Sequence, residues 1–256
     1  MTTFQSEITA RTQDMRGDPA LQSAAMDFLQ ASAKAKYSYN FQWMGRPIIQ
    51  YPQDIVAMQE LIHEIKPDLV IETGIAHGGS LIFSASMLAL LEMTEAIEAG
   101  TSFDPNKPKR KVLGIDIDIR PHNKAAIDAH PMRSRIEMIQ GSSIADDVVA
   151  KVHDIAKDYK KILVCLDSNH THDHVLEELK AYAPLASEGS YCVVFDTLIE
   201  DMAPDTYSDR PWGKGNNPHT AIHSYLKENG GFEIDRQIHD RLLITVARDG
   251  FLRRLS

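Results

Sequence analysis

The chain has 256 residues, 43% hydrophobic and 25% charged, which is ordinary for a soluble globular protein and enough for one sizeable α/β domain plus a short addition. Its net charge of −9 excludes a phosphate-tracking surface for nucleic acid or anionic lipid. The two cysteines, Cys165 and Cys192, lie in separate apolar runs without CxxC spacing and read as small hydrophobes of a reducing compartment, not as a disulfide or a zinc site.

Residues 1–36 are helix-prone and polar, without the apolar core of a signal peptide, and the longest apolar-leaning stretch, LIFSASMLALL, is too short to span a bilayer. The expected setting is therefore cytoplasmic, with no membrane insertion. Residues 37–52, YSYNFQWMGRPIIQYP, read as an aromatic-rich loop. Together residues 1–50 form an expected cover or homo-oligomer contact, and 51–256 the main domain. From Gln53 to Lys66, Ile55, Met58, Leu61, Ile62 and Ile65 recur at helical spacing, and Pro67 stops the helix.

Strand and helix patterns then alternate. DLVIET, KVLGIDI, RIEMIQ, KILVCLD and SYCVVFD read as strands, each followed by a helical run or a long loop. FEID and RLLITVA (241–247) read as two last strands, and the QIHD between them is too short for a helical crossover, so they must pair antiparallel. Strands apolar on both faces, separated by helices, predict a doubly wound, mostly parallel α/β sheet with an antiparallel last strand.

The first strand runs into ETGIAHGGS. This is neither GxGxxG nor GxxxxGK[ST], and Glu72 stands two residues before Gly74, where a pyrophosphate would meet a carboxylate. A cofactor carrying an ammonium and a sulfonium would be attracted there instead, and S-adenosylmethionine is that cofactor. Its expected contacts are Glu72, Gly74, His77, Gly78 and Ser80 of this turn. Asp116, ahead of Asp118 at the tip of the second strand, is expected on the ribose hydroxyls, and Gly141, Ser142 and Ser143 over the adenine.

Strands four and five end in LDSNHTHDH and VVFDT, which should bring Asp167 and Asp196 into one cleft beside the methyl donor. Converging carboxylates suit a hard divalent cation that lowers the pKa of a substrate hydroxyl, and His170 is placed to take its proton. Asp173, Glu177 and Glu178 are expected to favour the N-terminus of the following helix through its dipole. The loop 197–217 is long and aromatic, so Tyr207 and Trp212 are candidate substrate-wall residues.

The segments YNFQWMGRPIIQYPQD, ETGIAHGGSL, GIDIDIRPHN, LDSNHTHDHVLEEL, VVFDTLIEDM, DRPWGKGNNPHTAI and LLITVARDGFLRR resemble the cephalosporin hydroxylase/rhamnosyl O-methyltransferase family across residues 37–254. The resemblance implies a Rossmann-like class I methyltransferase with seven strands in the order 3-2-1-4-5-7-6, S-adenosylmethionine as donor, and methylation of a hydroxyl on a sugar, polysaccharide precursor or secondary metabolite. It implies magnesium held by Asp167 and Asp196 and His170 as base. Phe195 stands before Asp196 where metal-binding relatives carry Glu, so a cation would need Asn169, Glu200, Asp201 or water as a further ligand. A competing reading is a metal-dependent hydroxylase or oxygenase, which needs two histidines and a carboxylate on one face, for which HTHDH (170–174) is the source. Another is a non-catalytic helper that binds S-adenosylmethionine; such a helper would tolerate loss of Asp167 and His170.

Overall fold

The computed structural model describes residues 3–255. Helices α1 (Thr3–Arg16) and α2 (Pro19–Lys34) lead into a single 3-10 turn and a small hairpin, β1 (Phe41–Trp43) and β2 (Arg46–Ile48), where the sequence had suggested only a loop. Then follow α3 (Pro52–Ile65), β3 (Leu69–Thr73), α4 (Gly79–Ala99), β4 (Lys111–Asp116), α5 (Pro121–Asp128), β5 (Ile136–Gln140) and α6 (Asp146–Ala156). The chain continues through β6 (Ile162–Leu166), α7 (His172–Tyr182), β7 (Tyr191–Val194), α8 (Pro218–Glu228), β8 (Phe232–Ile234), α9 (Arg236–Leu242) and β9 (Phe251–Arg254).

The seven long-range strands form one sheet in the order β5-β4-β3-β6-β7-β9-β8, with β3 to β7 parallel and β9 antiparallel to both neighbours. This is the expected Rossmann-like α/β architecture. Successive strand residues feed opposite faces, as the two-residue pleat requires. Val70, Val112, Leu163, Cys165 and Val193 pack with α3 and α4, whereas Leu69, Ile71, Leu113, Val164 and Cys192 pack with α6, α7 and α8. Both cysteines are therefore buried free thiols. Helix α4 is 21 residues long, spanning the whole helical run GSLIFSASMLALLEMTEAIEA, and by length and composition alone it could cross a membrane. Its Leu81, Ile82, Ala85 and Leu88 are instead buried against the sheet, the two leucines and the isoleucine each contributing about 1.5–3 kcal/mol.

One strand was misplaced. The run RLLITVA is divided between the end of α9 and a loop, and the strand is FLRR. Buried Asp54 takes hydrogen bonds from Thr245 Oγ1 and the Val246 amide, and the Val246 carbonyl accepts from Thr197 Oγ1 and the Leu198 amide. These bonds draw the apolar run to the carboxyl end of the sheet and leave Phe251 and Leu252 to fill the ladder.

Candidate active site

The order of strands reverses between β3 and β6, so the loops that follow them meet at the sheet's switch point, where ligands of open α/β folds lie. Contact there is close enough to dictate residue type. Gly74 has φ +89°, and a β-carbon on it would lie 2.0 Å from the Asp167 carbonyl oxygen. At Gly79 a β-carbon would lie 2.2 Å from the Pro47 carbonyl oxygen, so the β1–β2 hairpin seats itself directly on the start of α4. The intervening turn is held through its main chain. Asp116 Oδ2 accepts from the Ile75 and Ala76 amides at 2.8 and 3.1 Å, and Asp116 Oδ1 accepts from Asp118 N at 2.9 Å. Arg46 donates to the His77 carbonyl, and Asn123, itself bonded to Arg46, donates to the Ala76 carbonyl.

Glu72 is buried one residue before the end of β3, where its carboxylate accepts a hydrogen bond from Ser80. Burial pushes its pKa up to about 7, against the Ser80 bond that lowers it. Asp54 is likewise buried and raised to about 7 by desolvation, despite its bonds from Thr245 and Val246. Asp167 is pushed well above the carboxylate range, first by burial and then by the charges of Asp196, Glu72, Glu178 and Asp54. A cavity of about 30 Å³, large enough for a water, is lined by Gln50, Asp54, Glu72, Ser80, Asp167 and Phe195. Burial thus holds these clustered acids against ionisation, and no lysine or arginine is among the groups that shift Asp167.

Asp167, His170 and Asp196 each offer one ligand atom, all within 4.8 Å of one another, and His170 Nε2 lies 3.1 Å from Asp196 Oδ2. The His170 and Trp212 rings meet perpendicular, at a centroid distance of 4.7 Å. Tyr207 is half-buried earlier in the loop, against the cluster of Leu29, Tyr51, Leu198 and Met202. Ser142 is half-buried, whereas Ser143 turns its hydroxyl to His174 Nε2 at 3.1 Å.

The other histidines of the HTHDH turn point elsewhere. His172 Nδ1 pairs with Thr220 Oγ1 at 2.8 Å, and His174 Nε2 sits between Ser143 and Ser168. The turn therefore assembles no two-histidine, one-carboxylate set, and the hydroxylase reading loses its source. The proposed extra ligands are also engaged: Asn169 caps Thr171, Glu200 accepts from Gly215 and Asn217, and Asp201 pairs with Arg248. Glu178 is not a solvated dipole partner but a buried acid accepting from Ser168 at 2.6 Å, while Glu177 pairs with Lys180.

Sequence reasoning missed Gln50 and Asp54. Gln50 Nε2 donates to Asp167 Oδ2 at 3.3 Å, and its Oε1 is buried with no hydrogen-bond partner. Asp54 carried a readable signal, because it continues the apolar stripe of Met58, Leu61, Ile62 and Ile65 on α3. Glu178 does the same beside Val175, Leu179 and Tyr182 on α7.

A family model described as Rhamnosyl O-methyltransferase/CmcI matches residues 35–255. The chain belongs to this family. It is thus an S-adenosylmethionine-dependent O-methyltransferase. Curated members include the rhamnosyl O-methyltransferase of Mycobacterium leprae (strain TN), 31% identical over 216 residues, covering 83% of this chain and 82% of that one. The enzyme of the same name from Mycobacterium bovis BCG is 30% identical over 217 residues, covering 83% and 77%. Among solved structures, apo CmcI superposes with a TM-score of 0.51 at 17% identity over 85% of this chain and 77% of that chain. CmcI with Mg and SAM gives 0.50 at 18% identity over 85% and 78%. These likenesses support the fold.

Proposed function

We propose that the chain moves the methyl group of S-adenosylmethionine onto a hydroxyl of a rhamnosyl or related sugar, with a divalent cation in the cleft and His170 as the base. The observation that carries this reading is the convergence of Asp167, His170 and Asp196 at the switch point, beside a glycine turn backed by a buried carboxylate. The rhamnosyl acceptor is that of the mycobacterial relatives, and magnesium with SAM is what CmcI holds.

The donor set fits a hard cation: two carboxylate oxygens, with the orphaned Gln50 Oε1 supplying an amide oxygen where Phe195 removes a carboxylate. When bound, the donor would supply an electrophilic methyl group and the cation would lower the pKa of the acceptor hydroxyl. Glu72 would neutralise the donor's positive charge, and Asp116 would meet its ribose. His170 takes the proton of the acceptor hydroxyl, and the Asp196 carboxylate, 3.1 Å from His170 Nε2, stabilises the imidazolium that forms. Trp212 packs perpendicular to the His170 ring and carries the Arg210 guanidinium 5.5 Å over its own, and is proposed as a wall that holds the base beside the acceptor. Residues 1–50, which seat β2 on the glycine turn, are proposed as the cover and oligomer contact.

The test is transfer of labelled methyl from S-adenosylmethionine to a panel of rhamnosyl glycosides, other deoxyhexosyl glycosides and phenols, with and without chelator. Methylated sugar formed only with added magnesium is the expected result. Transfer that ignores the chelator would retire the cation, and transfer confined to phenols would retire the sugar.

A further inference from the structure

Among the described residues, a second group of three metal-ligating side chains lies outside the cleft: His219, His223 and Asp249, whose ligand atoms are also all within 4.8 Å of one another. The two histidines are one turn apart on α8 and so share a face, the spacing by which one helix presents two imidazoles to one ion. Their Nε2 atoms are 3.2 Å apart. Two nitrogens bound to one tetrahedral zinc at its usual ~2.0–2.1 Å stand about 3.3 Å apart. Asp249 Oδ2 faces both, 3.7 Å from His219 and 3.8 Å from His223.

The carboxylate is held for this role. Asp249 lies in a left-handed turn with φ 55°, its Oδ1 accepts from Arg236 Nε at 3.2 Å, and its amide donates to His239 Nδ1 at 3.2 Å. That leaves Oδ2 directed at the imidazoles, with a partner on the other oxygen fixing the orientation, as around metal-bound carboxylates. Arg236 and Lys227 are the nearby cations, and Arg236 is committed to Oδ1.

We propose that His219, His223 and Asp249 bind a late first-row divalent metal, with zinc as the probe, at a site separate from the acid cleft. Two imidazoles and one carboxylate are the donors such a metal selects, whereas magnesium selects oxygens. Three protein ligands leave a fourth position for water. The ion would tie α8, which closes the loop carrying Trp212, to the turn entering β9. This inference does not depend on the methyl-transfer reading.

The experiment uses the metal-stripped full chain in excess magnesium, titrated with zinc by calorimetry and with cobalt by visible absorption. One zinc per chain at micromolar affinity or tighter is expected, with the intense cobalt bands of a four-coordinate site. His223→Gln and His219→Gln, both at partly exposed positions, should each weaken zinc at least tenfold and erase the bands; Asp167→Asn should change neither. Two substitutions guard against one variant failing to fold. No zinc uptake, uptake that survives both histidine changes, or uptake lost in Asp167→Asn would each overturn the proposal.

Discussion

On the donor side of the cleft, position is fixed through the main chain. Gly74 presses on the Asp167 carbonyl, Gly79 on the Pro47 carbonyl, and Asp116 collects two amides of the turn between them. On the acceptor side, position is fixed by side chains arriving from distant segments: Gln50 and Asp54 from before the sheet, Asp167 and His170 after β6, Asp196 after β7, and Trp212 from the long loop. Backbone packing tolerates almost no change in residue type, whereas a side-chain cluster can exchange members and keep its charge. In the proposed cation site Gln50 would be an instance, its amide oxygen standing in for the carboxylate that Phe195 does not supply.

The sharpest way to break this contrast is Asp167→Asn. Methyl transfer at saturating acceptor should fall by about 10²–10⁴-fold, because the cleft loses its proposed cation ligand, while the far-ultraviolet spectrum is unchanged. Gly74→Ala acts on the other side. A β-carbon 2.0 Å from a carbonyl oxygen at φ +89° forces the β3 and β6 loops apart, so denaturant unfolding should show a loss of about 2–4 kcal/mol together with lost donor binding. Equal stability to the parent chain would mean that the turn is not fixed in this way.

A smaller effect is expected from pH. Glu72 titrates near 7 in the free protein, and a positively charged donor favours its ionised form, so the bound pKa must be lower. Affinity for S-adenosylmethionine should then be flat above about pH 7 and fall by up to ~10-fold per unit below it, measured by calorimetry. The smallest effect should come from Trp212→Ala, which should raise the acceptor KM by about 2–10-fold, on the scale of one lost aromatic contact, and leave donor affinity unchanged.

The same contrast explains what was legible in the residues. Doubly apolar strands and the glycine turn announce themselves locally, because burial on both faces and close backbone approach restrict residue type in place. The convergence of Asp167, His170 and Asp196 could be foreseen because adjacent parallel strands deliver their ends to one edge. Gln50 could not, since nothing within YSYNFQWMGRPIIQYP says which polar group turns toward β6. Asp54 and Glu178 were available as acids sitting in apolar helical stripes, a pattern that desolvation makes costly and therefore informative. RLLITVA misled because an apolar run also serves as a loop when a buried carboxylate takes its amide hydrogen bonds.

The central claim is that buried negative charge behind the glycine turn selects a sulfonium. Calorimetry of S-adenosylmethionine and its neutral-sulfur product, S-adenosylhomocysteine, on the parent chain and on Glu72→Gln tests it most directly. The substitution keeps the shape and an acceptor oxygen for Ser80 and removes the charge. Affinity for the sulfonium should fall by about 10–100-fold, a loss of ~1.4–2.7 kcal/mol, and that for the product by clearly less. Equal losses for both ligands, or none for either, would contradict it.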